Sequence, residues 1–226
     1  MNTLNITNSS SLVMAYTQDK ITLATYNRVR EEANKAIAQA KAFGYIGVGL
    51  ITAENAAIEH AMRPFITNQA ALARLLNWLD EGAHGFDMNT GIEFTEEGEG
   101  SCGTTCCIGG AVAQMAMGIW DKKGTVEERH AAMMASEVWN EADFGDCACD
   151  QEDEMYAASF WGDIPKIAIG HLGIDMERLG EQKQKQNWMG LDLFDNAMAP
   201  ERCTPAQAAQ AVRNFDATGE PMWDTV

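Results

Sequence analysis

Apolar residues along the chain recur mainly at spacings of three and four, the period of an amphipathic helix. The first such stretch, residues 22–43, ends before Gly44 and carries five apolar residues on one face: Tyr26, Val29, Ala33, Ile37 and Ala40. The next apolar run, residues 44–51, lacks this period, is too short for a helix and is interrupted by glycines. It therefore predicts a small strand or a buried loop.

Residues suited to capping helices predict where further helices begin. Thr125 with Glu128 and Thr204 with Gln207 have the spacing of capping boxes, each followed by apolar residues at helical spacing. Two more caps are expected at Thr52 and at Thr67, the latter before a run with leucines at positions 72, 75, 76 and 79. The pattern indicates a mainly α fold, a compact helical domain with long irregular loops and a small strand element near 44–51.

The domain organisation follows from what the chain lacks. No repeat and no Pro/Ser-rich linker divides it, so an N-terminal helical segment, residues 1–69, and an acidic, cysteine-containing helical domain, residues 70–226, are expected to pack as one unit. Residues 83–101, with four glycines, predict an irregular loop. The chain shows no signal peptide and no apolar run long enough to cross a membrane, which favours the cytoplasm and reduced cysteines.

The charged residues are distributed unevenly along the chain. The 226 residues include 33 acidic and 16 basic side chains, a net charge of −17, which excludes a generic nucleic-acid binder because such proteins need a basic surface. Residues 1–75 carry +2, residues 161–226 carry −4, and the 76–160 segment carries −15. This middle segment predicts an acidic interaction surface formed by Glu93, Glu96, Glu97, Glu99, Glu141, Asp143, Asp146, Asp150, Glu152, Asp153 and Glu154.

Five of the six cysteines lie in that same segment. Thr104 or Thr105 is expected to cap a helix, which would place Cys102 just before its N-terminus and Cys106 in its first turn. The amide dipoles there would lower a thiol pKa and favour a thiolate. The alternative is that these cysteines are buried as small hydrophobic residues. Gly109 and Gly110 are expected to permit close approach of a neighbouring backbone.

A metal site is the main chemical use that these cysteines suggest. Thiolates are favoured zinc ligands, and Cys102, Cys106, Cys147 and Cys149 are the candidate ligands, although their spacing is not a paired C-x₂-C pattern. The acids of residues 146–154 would suit Ca²⁺ or Mg²⁺, but they do not match the EF-hand spacing. No phosphate-binding, dinucleotide-binding or hydrolase motif is present, which makes an enzyme the less favoured class.

Several motifs between residues 70 and 226 resemble those of a loose group of small bacterial and bacteriophage proteins, a group with no assigned activity. The shared motifs are a Phe-Asp-Met stretch, a C-G-T-x-x-C-I-x-G helix start and a C-terminal helix ending in T-G-E-x-x-W. Cys107 and the acidic insert Cys147–Glu154 are departures from that pattern. The matching residues are Phe86–Met88, Cys102–Gly110, Gly190–Phe194, Thr204–Ala209 and Thr218–Trp223.

Three classes of function remain. The first is a binding protein from a phage or mobile element whose carboxylates occupy a basic, nucleic-acid-binding surface of a host or defence protein, as a DNA mimic would. The second is a metal-dependent or thiol enzyme centred on Cys102, Cys106 and the acids of residues 146–154. The third is a virion or structural component. The expected partner is a basic protein surface, with no direct binding of nucleic acid or membrane, and the chain could also form a homo-oligomer.

Overall fold

The computed structural model describes residues 5–18, 20–94, 104–141, 155–183, 193–194 and 199–226. Within these ranges the chain forms ten α-helices and a single two-stranded sheet, which confirms the mainly α prediction. No helix in the same ranges has the length and apolar character needed to cross a bilayer. The chain divides into two compact units, Met1–Pro64 and Phe65–Val226, called unit 1 and unit 2 below.

Unit 1 contains three helices: α1 (Ser9–Thr17), α2 (Leu23–Ala42) and α3 (Val48–Ala61). Helix α2 follows the predicted bounds closely, because the Thr22 side chain accepts a hydrogen bond from the amide of Thr25 at its start. Helices α2 and α3 pack together as a hairpin, with α1 against both. Their shared core consists of Ile6, Leu12, Ala15, Ile21, Val29, Ala33, Ile58 and Ala61.

The prediction of a small strand near residues 44–51 is wrong. Residues from Val48 onward form the first turn of α3, which begins after Gly47 rather than at Thr52. Gly44 and Gly47 adopt positive φ angles of 84° and 55°, so the chain turns sharply within four residues and has no extended stretch to pair. The Thr52 hydroxyl donates to the carbonyl oxygen of Val48 inside the helix.

Unit 2 has seven helices and the sheet within its described residues. Helix α4 packs against both α5 and α10, and α5 packs against α8. The elements are α4 (Gln69–Asp80), β1 (Ile92–Phe94), β2 (Thr104–Cys106), α5 (Ile108–Ala116), α6 (Val126–Met134), α7 (Glu137–Glu141), α8 (Met155–Leu172), α9 (Met176–Lys183) and α10 (Pro205–Thr218).

The helix starts of unit 2 test the predicted caps one by one. Both capping boxes are present, at Thr125 with Glu128 and at Thr204 with Gln207. The cap of α4 is Asn68 rather than Thr67, since the Asn68 carboxamide oxygen accepts from the amide of Ala71. The Thr67 hydroxyl instead donates 2.8 Å to the carbonyl oxygen of Gly173, a contact that brings α4 to the turn after α8.

Two apolar clusters hold unit 2 together. The larger one joins α4, α5, α8 and α10, with fully buried side chains such as Leu75, Ile108 and Phe215. The smaller one lies under β1, α6 and α7, and it buries Ile92, Met133 and Trp139 among others. The acidic elements β1, α6 and α7 thus pack on the smaller cluster, whereas Cys106 and Cys107, at the start of α5, belong to the larger one.

Candidate functional site

Cys106 lies in a strand and not in the first turn of a helix. Strands β1 and β2 are antiparallel, and Cys106 pairs with Ile92. On its other side, the amide of Cys106 donates 2.8 Å to the carbonyl oxygen of Gly85, and its carbonyl oxygen accepts from Asp87. The side chain is 2% exposed. The prediction that Thr104 or Thr105 caps a helix, with Cys106 in its first turn, is wrong because both threonines belong to β2.

Helix α5 is capped by a cysteine. The Cys107 sulfur accepts a hydrogen bond from the amide of Gly110 at 3.4 Å, and the Cys107 amide donates 2.6 Å to the carbonyl oxygen of Thr90. The side chain is buried, and this burial raises the pKa of the Cys107 thiol although the amides of Gly110 and Gly109 act in the opposite direction. At Cys107, burial therefore outweighs the kind of helix-end effect that the sequence suggested for Cys102 and Cys106.

The predicted close approach of backbones is confirmed at Gly110. A Cβ atom built on this residue would overlap the carbonyl oxygen of Gly91, far inside van der Waals contact. At Gly109 the nearest atoms, on Ile164 and Phe194, would be at 3.4 and 3.5 Å, an ordinary contact distance. Helix α5 can therefore pack directly on the segment before β1 only because residue 110 has no side chain.

The burial of the thiols gives a first testable prediction. We expect Cys106, Cys107 and Cys203 to resist alkylation by iodoacetamide in the folded chain at about pH 7.5, because the first two are buried and the pKa of Cys203 is raised to about 11 by burial. Peptide mapping by mass spectrometry, native and denatured, measures this. Rapid native labelling of Cys106 or Cys107 would contradict the placement of the strand and the helix start.

One of the four predicted zinc ligands lies in the described part of the chain. Of the four candidates, Cys106 is buried in β2, whereas Cys102, Cys147 and Cys149 lie outside the described residues. Within the described ranges, no group of three histidine, cysteine, aspartate or glutamate side chains could hold a metal ion.

Two of the predicted surface carboxylates lie on described elements. Glu93 is the central, exposed residue of β1, between buried Ile92 and half-buried Phe94, as strand alternation requires. Glu141 is the last residue of α7. The others lie outside the described residues, three of them in the sequence between β1 and β2 and six between α7 and α8: Glu96, Glu97, Glu99, Asp143, Asp146, Asp150, Glu152, Asp153 and Glu154.

Three exposed acids that the prediction did not include lie on the neighbouring helices. Glu127 and Glu128 form the first turn of α6, and Glu137 begins α7. Helix α6 packs against both β1 and α7, so these carboxylates surround the same apolar cluster as Glu93. Hydrogen bonds from a backbone amide and from Thr125 hold the pKa of Glu127 below its ordinary value. The acidic first turn of a capped helix is the signal that could have identified Glu127 and Glu128.

The described carboxylates around the smaller cluster are called the acidic face below: Glu93, Glu127, Glu128 and Glu137. The cations near them differ in exposure. The Arg129 side chain is buried, with its guanidinium 5.4 Å from the centre of the Phe94 ring and its Nε donating to the carbonyl oxygen of Thr125. Lys122 and Lys123, just before α6, are exposed. Of these three basic side chains, Arg129 is turned into the unit, whereas all four carboxylates are exposed.

The sequence matches no family model, and neither a search of the curated proteins nor a search of the solved structures found a match.

Proposed function

We propose that this chain is an acidic binding protein that occupies a basic surface on a partner protein. The observation that carries the proposal is the division of charge between the two units. Unit 1 has six basic and five acidic residues, a net charge of +1, while unit 2 has ten basic and 28 acidic residues, a net charge of −18. Acidity that served solubility alone would not need to be confined to one unit.

The arrangement of the acidic face supports this proposal. Glu93, Glu127 and Glu137 are exposed on three short elements that pack around one buried cluster. The backbone of such elements is already ordered before binding, which lowers the entropy cost of association, and a field of one sign steers a partner of opposite charge. The partner chemistry that fits is a surface rich in lysine and arginine.

A surface that binds nucleic acid is rich in lysine and arginine because it neutralises phosphates. The narrower form of the proposal is therefore that the chain imitates the charge of a duplex and blocks a host or defence nuclease or regulator. A phage or mobile-element source for the chain belongs to this proposal and rests on the motif resemblance alone. The enzyme alternative has weaker support, since Cys106, one of its two candidate thiols, is buried in a strand, while Cys102 and the acids of residues 146–154 lie outside the described residues.

A salt series tests the proposal. We expect the purified chain to associate with nucleic-acid-binding defence complexes at low ionic strength, and to lose at least ~10-fold in affinity between about 50 and 500 mM salt, because screening weakens exposed charge pairs. Duplex DNA should compete for the same surface. Fluorescence anisotropy with the labelled full chain measures both effects. If the chain associated with none of the tested nucleic-acid-binding complexes at low salt, the proposal would be refuted.

Charge-matched variants locate the binding surface. Three variants each remove four negative charges: one from residues 93–99, one from residues 150–154, and a control from other parts of unit 2. The first two should weaken binding by roughly tenfold, and the control should change it little. Equal weakening in all three would mean that only total charge matters. The first is E93Q/E96Q/E97Q/E99Q, the second is D150N/E152Q/D153N/E154Q, and the control is E177Q/E201Q/E220Q/D224N, whose residues lie exposed on other parts of unit 2.

A further inference from the structure

The turn between α2 and α3 exposes an unusual amount of apolar surface. Every residue from Lys41 to Val48 is exposed. Phe43 and Ile46 are each 83% exposed, although side chains of this kind are normally buried. The apolar tip, as we call this surface, consists of Phe43 (83%), Tyr45 (58%), Ile46 (83%), Val48 (78%) and Ile51 (56%).

The backbone of the apolar tip is fixed by hydrogen bonds. Helix α2 ends in a Schellman motif, with Gly44 in the left-handed region and the Tyr45 amide donating 3.0 Å to the carbonyl oxygen of Ala40. The amide of Gly49 donates to the carbonyl oxygen of Ile46 as α3 begins. The Tyr45 ring lies over Gly49, where a built Cβ would meet it at 2.9 Å. A surface ordered in this way needs little rearrangement to bind.

The apolar tip is also free of charge. No charged residue occurs between Lys41 and Glu54, a stretch of twelve residues in a chain of net charge −17. With typical side-chain areas, the five residues expose roughly 600 Å² of mostly apolar surface, at the upper end of what a monomer normally shows. A surface of this size at one turn is typical of a protein interface rather than of scattered exposed side chains.

We propose that the apolar tip binds the apolar tip of a second copy of this chain and forms a symmetric dimer. A twofold interface brings the same patch of both copies together, so it must be self-complementary. An uncharged apolar patch meets this condition, whereas the acidic surfaces of two copies would repel each other. Two tips would bury at most about 1,200 Å² together, the lower limit for a specific interface, so the dimer should dissociate on dilution. This inference does not depend on the proposed function.

Sedimentation equilibrium of the full chain tests the dimer. We expect a monomer–dimer equilibrium between roughly 1 and 100 μM, and tighter association at high salt, because salt screens the repulsion between two copies of charge −17. This salt response is opposite to that of the binding proposed for the acidic face, so the two proposals can fail separately. A chain that stays monomeric over this range at high salt would overturn the dimer.

Two double variants with the same change in charge identify the interface. F43E/I46E should weaken the dimer by roughly 100-fold, since it places carboxylates in an apolar contact. L23E/M134E introduces two charges at apolar residues that are 55% and 45% exposed outside the tip, and it should leave the dimer intact. Circular dichroism should show both variants folded, since all four residues are exposed.

The remaining outcomes also decide the question. A dimer that survives F43E/I46E, or that L23E/M134E disrupts equally, would place the interface elsewhere. A monomeric wild-type chain that binds phosphatidylcholine vesicles, with binding lost in F43E/I46E, would assign the tip to a lipid surface and overturn the proposal.

Discussion

Replacing Gly110 with alanine is expected to destabilise unit 2 by about 3 kcal/mol, the upper part of the range for an overpacked core. The new methyl group would need the space that the carbonyl oxygen of Gly91 occupies. Both partners are backbone, so no side chain can rotate away. Helix α5 would have to move away from the segment before β1, and this movement would strain the hydrogen bond from Cys107 to Thr90.

Gly109 provides the matched control for this prediction. It is the preceding residue of the same helix, and its built Cβ meets only side-chain atoms at 3.4 Å or more. The helix propensity of alanine exceeds that of glycine by about 1 kcal/mol, so G109A should be neutral or slightly stabilising. Urea denaturation followed by circular dichroism compares the two variants. If G110A proves as stable as G109A, the two backbones do not pack as closely as the structure has them.

The features that the sequence predicted well are those set by local chemistry. The two capping boxes depend on residues three positions apart, and both form. Helix α2 combines a period of apolar residues, a threonine cap and a C-terminal glycine, all within one segment. The close approach at Gly110 was also expected, because only glycine permits such contact, although the partner, Gly91, could not be named from the sequence.

The features that the sequence analysis did not predict depend on contacts between residues far apart in the chain. Cys106 joins a strand because β1 pairs with β2 on one side, while the backbone of Cys106 bonds to Gly85 and Asp87 on the other. Asn68 takes the cap that Thr67 could also have provided, because the Thr67 hydroxyl is used by Gly173, 106 residues further along the chain. No local pattern contains this information.

The apolar tip shows a different reason for a wrong prediction. An apolar run with glycines normally indicates a buried segment, and on that assumption residues 44–51 were expected to form a strand or a buried loop. The structure exposes most of them instead, because the two positive-φ glycines turn the chain at the end of the α2–α3 hairpin. The sequence shows which residues are apolar, but it does not show whether they are buried in the chain's own core or stay exposed on its surface.

The second large effect is expected at Asp216, which ties the start of unit 2 to α10. One carboxylate oxygen of Asp216 accepts the amide of Ile66 at 3.0 Å, and its carbonyl oxygen accepts the amide of Phe65 at 2.8 Å. The Arg178 guanidinium lies 3.7 Å from the centre of the Phe65 ring, and its charge attracts the carboxylate. Partial burial nevertheless raises the pKa of Asp216 above its ordinary value.

Two substitutions separate the hydrogen bond of Asp216 from its charge. D216A leaves the amide of Ile66, a fully buried residue, without this acceptor, and it should lower the free energy of unfolding by about 1–3 kcal/mol. D216N keeps an oxygen that can accept the amide, and it removes a charge whose burial is unfavourable. At pH 7 we therefore expect D216N to be at least as stable as the wild type, and D216A to be clearly less stable.

The pH dependence of D216N supplies the sharper test. A carboxyl whose folded-state pKa is raised binds its proton more tightly in the folded chain than in the unfolded chain. Its contribution to stability is therefore greatest below its ordinary pKa of about 4 and decreases as the pH rises through the folded-state value. Since the carboxamide in D216N does not titrate, the advantage of this variant over the wild type should be present at pH 7 and disappear in acid. Urea midpoints measured for both chains across this range would contradict the burial of the charge if D216N were the less stable one at pH 7.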